Sequence, residues 1–273
     1  MPLMRRALLL TMGYKFATVW NLGASGLAAQ TAPFDTEFLQ VGDSRIDGRS
    51  VAPRTEYWQI WSVPWHPSAE DRVKLTGRMV ARITIGKQAS DSVIVQVRQT
   101  TYPHGAAADT LLDSVVCERR TLAVLRSRRH GDGITAGYYF NGTQVTYFRS
   151  PTASDTGISH EEQLQEQAFL PGTEGLLVHV LLPLLLSRKA VYRVPLAYYD
   201  PIRSRFIVSH EDIALLRPER LILQRQPVET WVVRAGASTI WITRKSREIV
   251  KAESFTPESD CCFTRLVREH FVN

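Results

Sequence analysis

The sequence is poor in cysteine, with Cys117, Cys261 and Cys262 alone among 273 residues. They form no C-x-x-C pair and no zinc spacing, so neither a disulfide framework nor a structural zinc site is expected. In an oxidising compartment one disulfide is open to them, Cys117 with Cys261 or Cys262; otherwise they remain partly buried thiols. No run of about 18 uncharged apolar residues exists, which argues against a membrane-spanning helix. Charge of one sign is not massed either. The densest cluster is Arg126, Arg128, Arg129 and His130, beside the Gly131-Asp132-Gly133 turn. Without interleaved stacking aromatics it reads as a solvated turn with charged flanks, and a nucleic-acid partner is not expected. There is no G-x-S-x-G elbow, no phosphate loop and no H-E-x-x-H, so no cofactor or metal is implied.

What is present is an ordinary globular composition, 44% apolar and 22% charged, in a chain long enough to bury a sizeable core. The first 29 residues differ from the rest. They contain Arg5, Arg6 and Lys15, no acidic residue, two short apolar stretches and the small-residue end Gly26-Leu27-Ala28-Ala29. This is the pattern of a signal peptide, with a cut after Ala28 or Ala29, although Lys15 interrupts it. Its removal lowers the formal charge from +6 to +3. Met4 and Met12 are alternative starts. Residues 30–273 show no repeat and no composition break, and are expected to form one domain.

Period-two patterning dominates this remainder. Between Val73 and Ile85, Val73, Leu75, Met79, Ala81, Ile83 and Ile85 alternate with Lys74, Thr76, Arg78, Arg82 and Thr84. Val93, Val95 and Val97 repeat the pattern opposite Gln96 and Arg98, across a turn in 86–91. Asn141-Gly142 lies between two further strands and favours a type I′ hairpin pairing Phe140 with Thr143, Tyr138 with Val145 and Ala136 with Tyr147. Residues 151–166 are polar and read as a loop. After 190, strands are expected at 190–198, 204–216, 221–226, 229–234, 238–244 and 248–255. The turns between them include Asp200-Pro201, Arg217-Pro218 and Ala235-Gly236.

One helix interrupts the strands, at about 173–187, with Gly172 or Thr173 as cap and Glu174 in the first turn. Leu176, Leu177, Val180, Leu181, Leu184 and Leu185 make a broad apolar face that a sheet must cover. Pro183 should kink or end the helix. Strands without alternating helices predict a mainly β fold: a strongly curved antiparallel sheet, an open half-barrel, with the helix packed across its concave face.

Chemistry-bearing residues are sparse. Asp155-Thr156-Gly157 matches an aspartic-protease triplet but lies in a polar loop without a second copy. His160-Glu161-Glu162 and His210-Glu211-Asp212 lack a second histidine at helical spacing, and His179 reads as a tolerated helix residue. Cys117 reads as a core or disulfide residue. Aromatic and leucine side chains are the better candidates. Trp58, Trp61, Tyr138, Phe140, Leu177, Leu181, Trp231 and Trp241 would line an apolar cavity if the curved sheet is hollow, or fill a core if it is packed.

Five fragments carry a resemblance. They are Cys117-Glu118-Arg119-Arg120-Thr121-Leu122, Phe140-Asn141-Gly142, Ala168-Phe169, Leu181-Leu182-Pro183-Leu184, and the stretch from Trp231 through Arg247-Glu248-Ile249-Val250. Together, over residues 70 to 255, the chain resembles a family of exported bacterial proteins with a domain of unknown function, similar in style to lipoprotein carriers and receptors of the LolA and LolB type. The resemblance implies an open half-barrel whose mouth is covered by helices, and it brings no catalytic residue. The leader lacks the lipid-attachment cysteine of a dedicated receptor, which speaks against an anchored role. The expected function is a periplasmic carrier or binding protein for an apolar ligand such as a lipid acyl chain, without a catalytic role, with peripheral membrane contact allowed. The alternatives are a structural or interaction module of the cell envelope, and an enzyme assembled in space around Asp155, His160 or His210.

Overall fold

The structure is a computed structural model. It describes residues 35–64, 73–88, 91–104, 107–131, 133–151, 157–170, 172–188, 190–200, 203, 205–255 and 262–270. The expected signal peptide, Asp155 and Cys261 lie outside the described residues.

Among the described residues fifteen strands and one α-helix follow one another. The strands are β1 (Thr36–Phe38), β2 (Arg54–Pro64), β3 (Lys74–Gln88), β4 (Asp91–His104), β5 (Ala107–Glu118), β6 (Val124–Gly131), β7 (Ile134–Asn141), β8 (Gln144–Pro151) and β9 (Ile158–Gln163). The helix α1 (Glu174–Arg188) comes next. It is followed by β10 (Val191–Asp200), β11 (Arg205–Leu223), β12 (Gln226–Ala235), β13 (Ser238–Thr243), β14 (Ile249–Phe255) and β15 (Cys262–Arg268). All strands belong to one sheet, in the order β1-β10-β11-β12-β13-β14-β15-β2-β3-β4-β5-β6-β7-β8-β9. Only β1 runs parallel to its neighbour, β10. The mainly β, open half-barrel architecture with a single helix is therefore the one expected.

The alternation that predicted β3 is the alternation of its burial. Gly77, Ala81 and Ile83 are buried, whereas Arg78, Arg82 and Thr84 are exposed. Faces propagate by register. Ala81 pairs with Arg98, Arg98 with Asp113, Asp113 with Arg129 and Arg129 with Ala136. Paired residues share a face, so this row runs along the inner side of the sheet.

The helix lies inside the curve. Leu177, Val178, Leu181, Leu182 and Leu185 are wholly buried, which leaves it with little amphipathic character. Val194, Ile213, Val233 and Ile240 from the inner face of β10–β13 pack on it. Ile83, Ile94 and Leu122 join the same cluster, as do Leu39, Ile46 and Val51 from the segment after β1. Each fully buried leucine contributes roughly 1.5–3 kcal/mol. Pro183 does not end the helix, which continues to Arg188. It removes one helical hydrogen-bond donor, and the surrounding core holds the last turn in place.

The two ends of the sheet overlap instead of joining edge to edge. On β7 and β8 the inner-face residues are Ala136, Tyr138, Phe140, Val145 and Tyr147. They pack with Ala197, Tyr199, Phe206 and Val208, the residues of β10 and β11 that point away from the helix. Tyr147 stacks on Tyr199 with centroids 4.3 Å apart. The segment after β9 then runs along the free edge of β10, where the Phe169 N–H donates to Pro195 O and the Ala197 N–H donates to Phe169 O.

Several local expectations shift. The β7–β8 hairpin pairs Phe140 with Val145, Tyr138 with Tyr147 and Asn141 with Gln144. Gly142 and Thr143 thus form the tip, with positive φ at Gly142 alone, the type II′ pattern. The register moves by two residues, so the expected side chains still share one face. Residues 158–163 form the edge strand β9, not a loop; its polarity suits a strand paired on one side only. The expected strands 204–216 and 221–226 are one strand, β11, which passes Pro218 after a bulge between Leu215 and Arg217. Its turn is at Gln224 and Arg225, both with positive φ. The β11–β12 hairpin carries a second small core: Leu221, Leu223 and Val228 pack with Val232, Trp241, Val250 and Val267. The basic cluster lies on β6, with Arg126, Arg128 and His130 exposed.

Candidate functional site

The α1 core fills only part of the rolled sheet. The remainder is a cavity of about 890 Å³. Its wall is built from residues of β2–β7, the first turn of α1, and β10–β15. Met79, Ala81, Ile83, Leu176, Leu196 and Leu266 make an apolar part. The sheet interior is therefore both packed and hollow, in different places.

Two of the expected lining residues stand on this wall, Trp58 and Tyr138. Trp58 is buried and its indole N–H donates to Glu56 Oε2 at 3.2 Å. Phe140 packs beside Tyr138, at 6.4 Å between centroids, but off the wall. Leu177 and Leu181 are wholly buried in the helix core. Trp61 is half-buried opposite Leu75 and Arg265. Trp231 lies under the Arg244 guanidinium at 4.5 Å, and Trp241 under the Lys251 ammonium at 3.9 Å. These last six fill cores or outer faces, as hydrophobic residues do by default.

The cavity has a polar end that residue patterning did not single out. Residue patterning places Gln96 and Arg98 opposite a valine face. The structure inverts this: Ile94 is buried against the helix core, and Gln96 and Arg98 line the cavity. Register decides it, because Gln96 pairs with Ile83 and Arg98 with Ala81. Arg98 packs so closely over Gly172 that a Cβ there would meet its Nη2 at 2.6 Å. Gly172 also has φ +92°, a conformation suited to glycine.

Glu174 opens α1 from the same spot. Its carboxylate accepts hydrogen bonds from the Gly172 N–H and from its own N–H. Thr173, buried, precedes it; its hydroxyl donates to Leu170 O at 2.7 Å and its carbonyl receives the Leu177 N–H. Burial pushes the Glu174 carboxyl above its ordinary range. The Glu211 charge adds to the rise, while the two backbone N–H groups and Arg98 oppose it. Glu211 reaches the cavity from β11, where it accepts the Ser209 hydroxyl at 2.9 Å. Tyr198 of β10 donates to Glu211, and burial together with the Glu211 and Glu174 charges raises its phenol.

A buried ion network supports one wall. Arg54 Nε lies 2.6 Å from Glu56 Oε1, and Arg268 Nη2 lies 3.2 Å from Glu248 Oε1. Arg129, turned inward from the basic cluster, grips Asp113 with Nε and Nη2 at 2.6 and 3.2 Å.

Each histidine expected as an enzyme candidate faces a glutamate. His160 lies 3.6 Å from Glu162 and His210 2.9 Å from Glu166; of the two only His210 reaches the cavity wall. Among the described residues no group of three His, Cys, Asp or Glu side chains is placed to hold a metal ion. Cys117 is a buried free thiol whose pKa burial pushes up to about 12, which keeps it protonated and unreactive near neutrality. No described helix is long and apolar enough to cross a membrane.

No protein-family model matches the sequence, and no curated relative matches it. Among solved structures, the chain is similar to a β-barrel-like protein of domain of unknown function DUF1849 from Brucella abortus. They share 8% identity over 81% of this chain and 99% of that one, with a TM-score of 0.44. A Bacteroides fragilis protein of YmcC-like fold, assigned as exported, is 9% identical over 80% of this chain and 95% of its own, with a TM-score of 0.17. Likenesses this loose carry nothing about activity or ligand.

Proposed function

We propose that this chain is an exported binding or carrier protein whose rolled sheet holds an amphiphilic ligand. One observation carries the reading: the cavity of about 890 Å³, whose wall carries apolar side chains and, among them, the cluster Arg98, Glu174, Tyr198 and Glu211. Small-molecule sites are concave, mostly apolar and orient their ligand with a few placed polar groups. The size suits a single acyl or alkyl chain with its head group. The apolar ligand expected from residue patterning thereby becomes one with a polar head, because Arg98, Glu174, Tyr198 and Glu211 would be left facing hydrocarbon otherwise. Export rests on the leader pattern of the first 29 residues.

The test is mass spectrometry of solvent extracts from protein purified out of its native envelope, beside Ala81→Phe, which narrows the cavity at its wall. A co-purifying amphiphile that is depleted in the variant supports the proposal. Extracts without any amphiphile, together with no uptake of a fluorescent alkyl probe, would overturn it. Export is checked by sequencing the mature N-terminus, which should begin at Ala29 or Gln30.

A further inference from the structure

We propose that the ligand's polar head is a protonated amine, seated against Glu174 and Glu211 at the polar end of the cavity. The inference rests on the carrier reading above and names the ligand class. Its ground is the balance of charges and hydrogen bonds on the cavity wall among the described residues. Arg54 is paired with Glu56, Arg129 with Asp113, and Asp212 with Arg193. His210 is paired with Glu166, and Arg128 and Arg234 are exposed.

What remains inside is one guanidinium, Arg98, against two carboxylates, Glu174 and Glu211. They converge from β4, the start of α1 and β11, elements far apart in sequence. Neither carboxylate has an ion-pair partner within 4 Å among the described residues. Glu211 is held by two hydroxyls and Glu174 by backbone N–H groups, so each keeps free acceptor capacity. Beside Arg98 on the same face, the Gln96 Oε1 is a buried acceptor with no donor. The unmet need of the site is thus for positive charge and N–H donors.

A surplus of negative charge on a half-buried cavity wall is costly unless it is neutralised by a proton or a cation. Glu174 already shows the first response, since its carboxyl is held above the ordinary range. A primary ammonium supplies the second, with three donors and a full charge. The aromatic wall of Trp58, Tyr138, Tyr198 and Tyr199 suits a cation as well. An anionic head would meet Arg98 but also both carboxylates.

The experiment compares dodecylammonium, dodecanoate and dodecanol, three ligands with one chain and different heads, by calorimetric titration of the delipidated protein at neutral pH. The expected result is at least tenfold tighter binding of the amine than of the other two. Glu174→Gln and Glu211→Gln should each weaken the amine several-fold and leave dodecanol unchanged. Equal binding of all three, or tighter binding of the acid, overturns the amine proposal while the carrier reading stands. Binding of none overturns both. The wild-type series decides even where a variant fails to fold.

Discussion

At the scale of single residues, the polar end of the cavity depends on Gly172 and Glu174. Gly172 holds φ +92° directly beneath Arg98. Gly172→Ala should destabilise the protein by about 1–2 kcal/mol, chiefly through the left-handed backbone. The Arg98 guanidinium can swing away from a methyl group, so Arg98→Ala should not rescue the loss; urea denaturation of both variants and the double checks this. Glu174 gives a pH signature. A carboxyl whose folded pKa is raised binds more protons in the folded state. Its burden on stability is therefore absent below the ordinary value of 4.5 and grows as pH rises through the folded value. Glu174→Gln removes this burden. The stability of the variant relative to wild type should climb from about pH 4.5 upward and then level off. Denaturation midpoints between pH 4 and 8 would show it, and a difference that stays flat would mean that burial does not govern this group.

At the scale of elements, the strands are held by turns whose residues do not all suit them. The tip of the β11–β12 hairpin places Gln224 at φ 51° and Arg225 at φ 64°, a backbone that side chains other than glycine and asparagine resist. Gln224 is retained by a side-chain hydrogen bond to the Glu269 carbonyl. Arg225→Gly should therefore raise stability by about 0.5–1 kcal/mol, measurable as a higher thermal midpoint with ligand binding unchanged. Turn chemistry also explains the shifted β7–β8 register. Asn141-Gly142 signalled a hairpin correctly, but glycine occupies the first turn position rather than the second. Pro218 is the opposite lesson: a residue that usually ends strands is accommodated by a neighbouring bulge, and the strand continues to Leu223.

At the scale of the whole molecule, the overlapping ends of the open sheet are held together, among the described residues, by side chains and by one short backbone contact. The inner aromatics of β7–β8 lie on the outer face of β10–β11, with Tyr147 stacked on Tyr199 and Tyr138 against Phe206 at 5.5 Å. Such a seam opens more readily than a hydrogen-bonded ladder. Tyr199→Ala should speed amide exchange in β8, β9 and the segment up to Phe169, while β12–β15 keep their protection. Uniform acceleration through the sheet would instead show that the seam and the helix core unfold as one. Because the cavity reaches the seam at Tyr138 and Tyr199, the same variant should also release a bound amphiphile faster.

The amino-acid order alone determined the class of the fold: strands that alternate, turns between them and one apolar helix. Those features follow from contacts a few residues apart, where spacing dictates which side chains share a face. It also placed Trp58 and Tyr138 among the candidates that prove to line the cavity. Only the tertiary structure decided which face turned inward at Gln96 and Arg98, and that a cavity lies beside a helix core. It likewise brought Arg98, Glu174, Tyr198 and Glu211 to one point. Register across neighbouring strands and the curvature of the whole sheet set these outcomes. Both depend on pairings between residues distant in the chain, which local patterning does not encode.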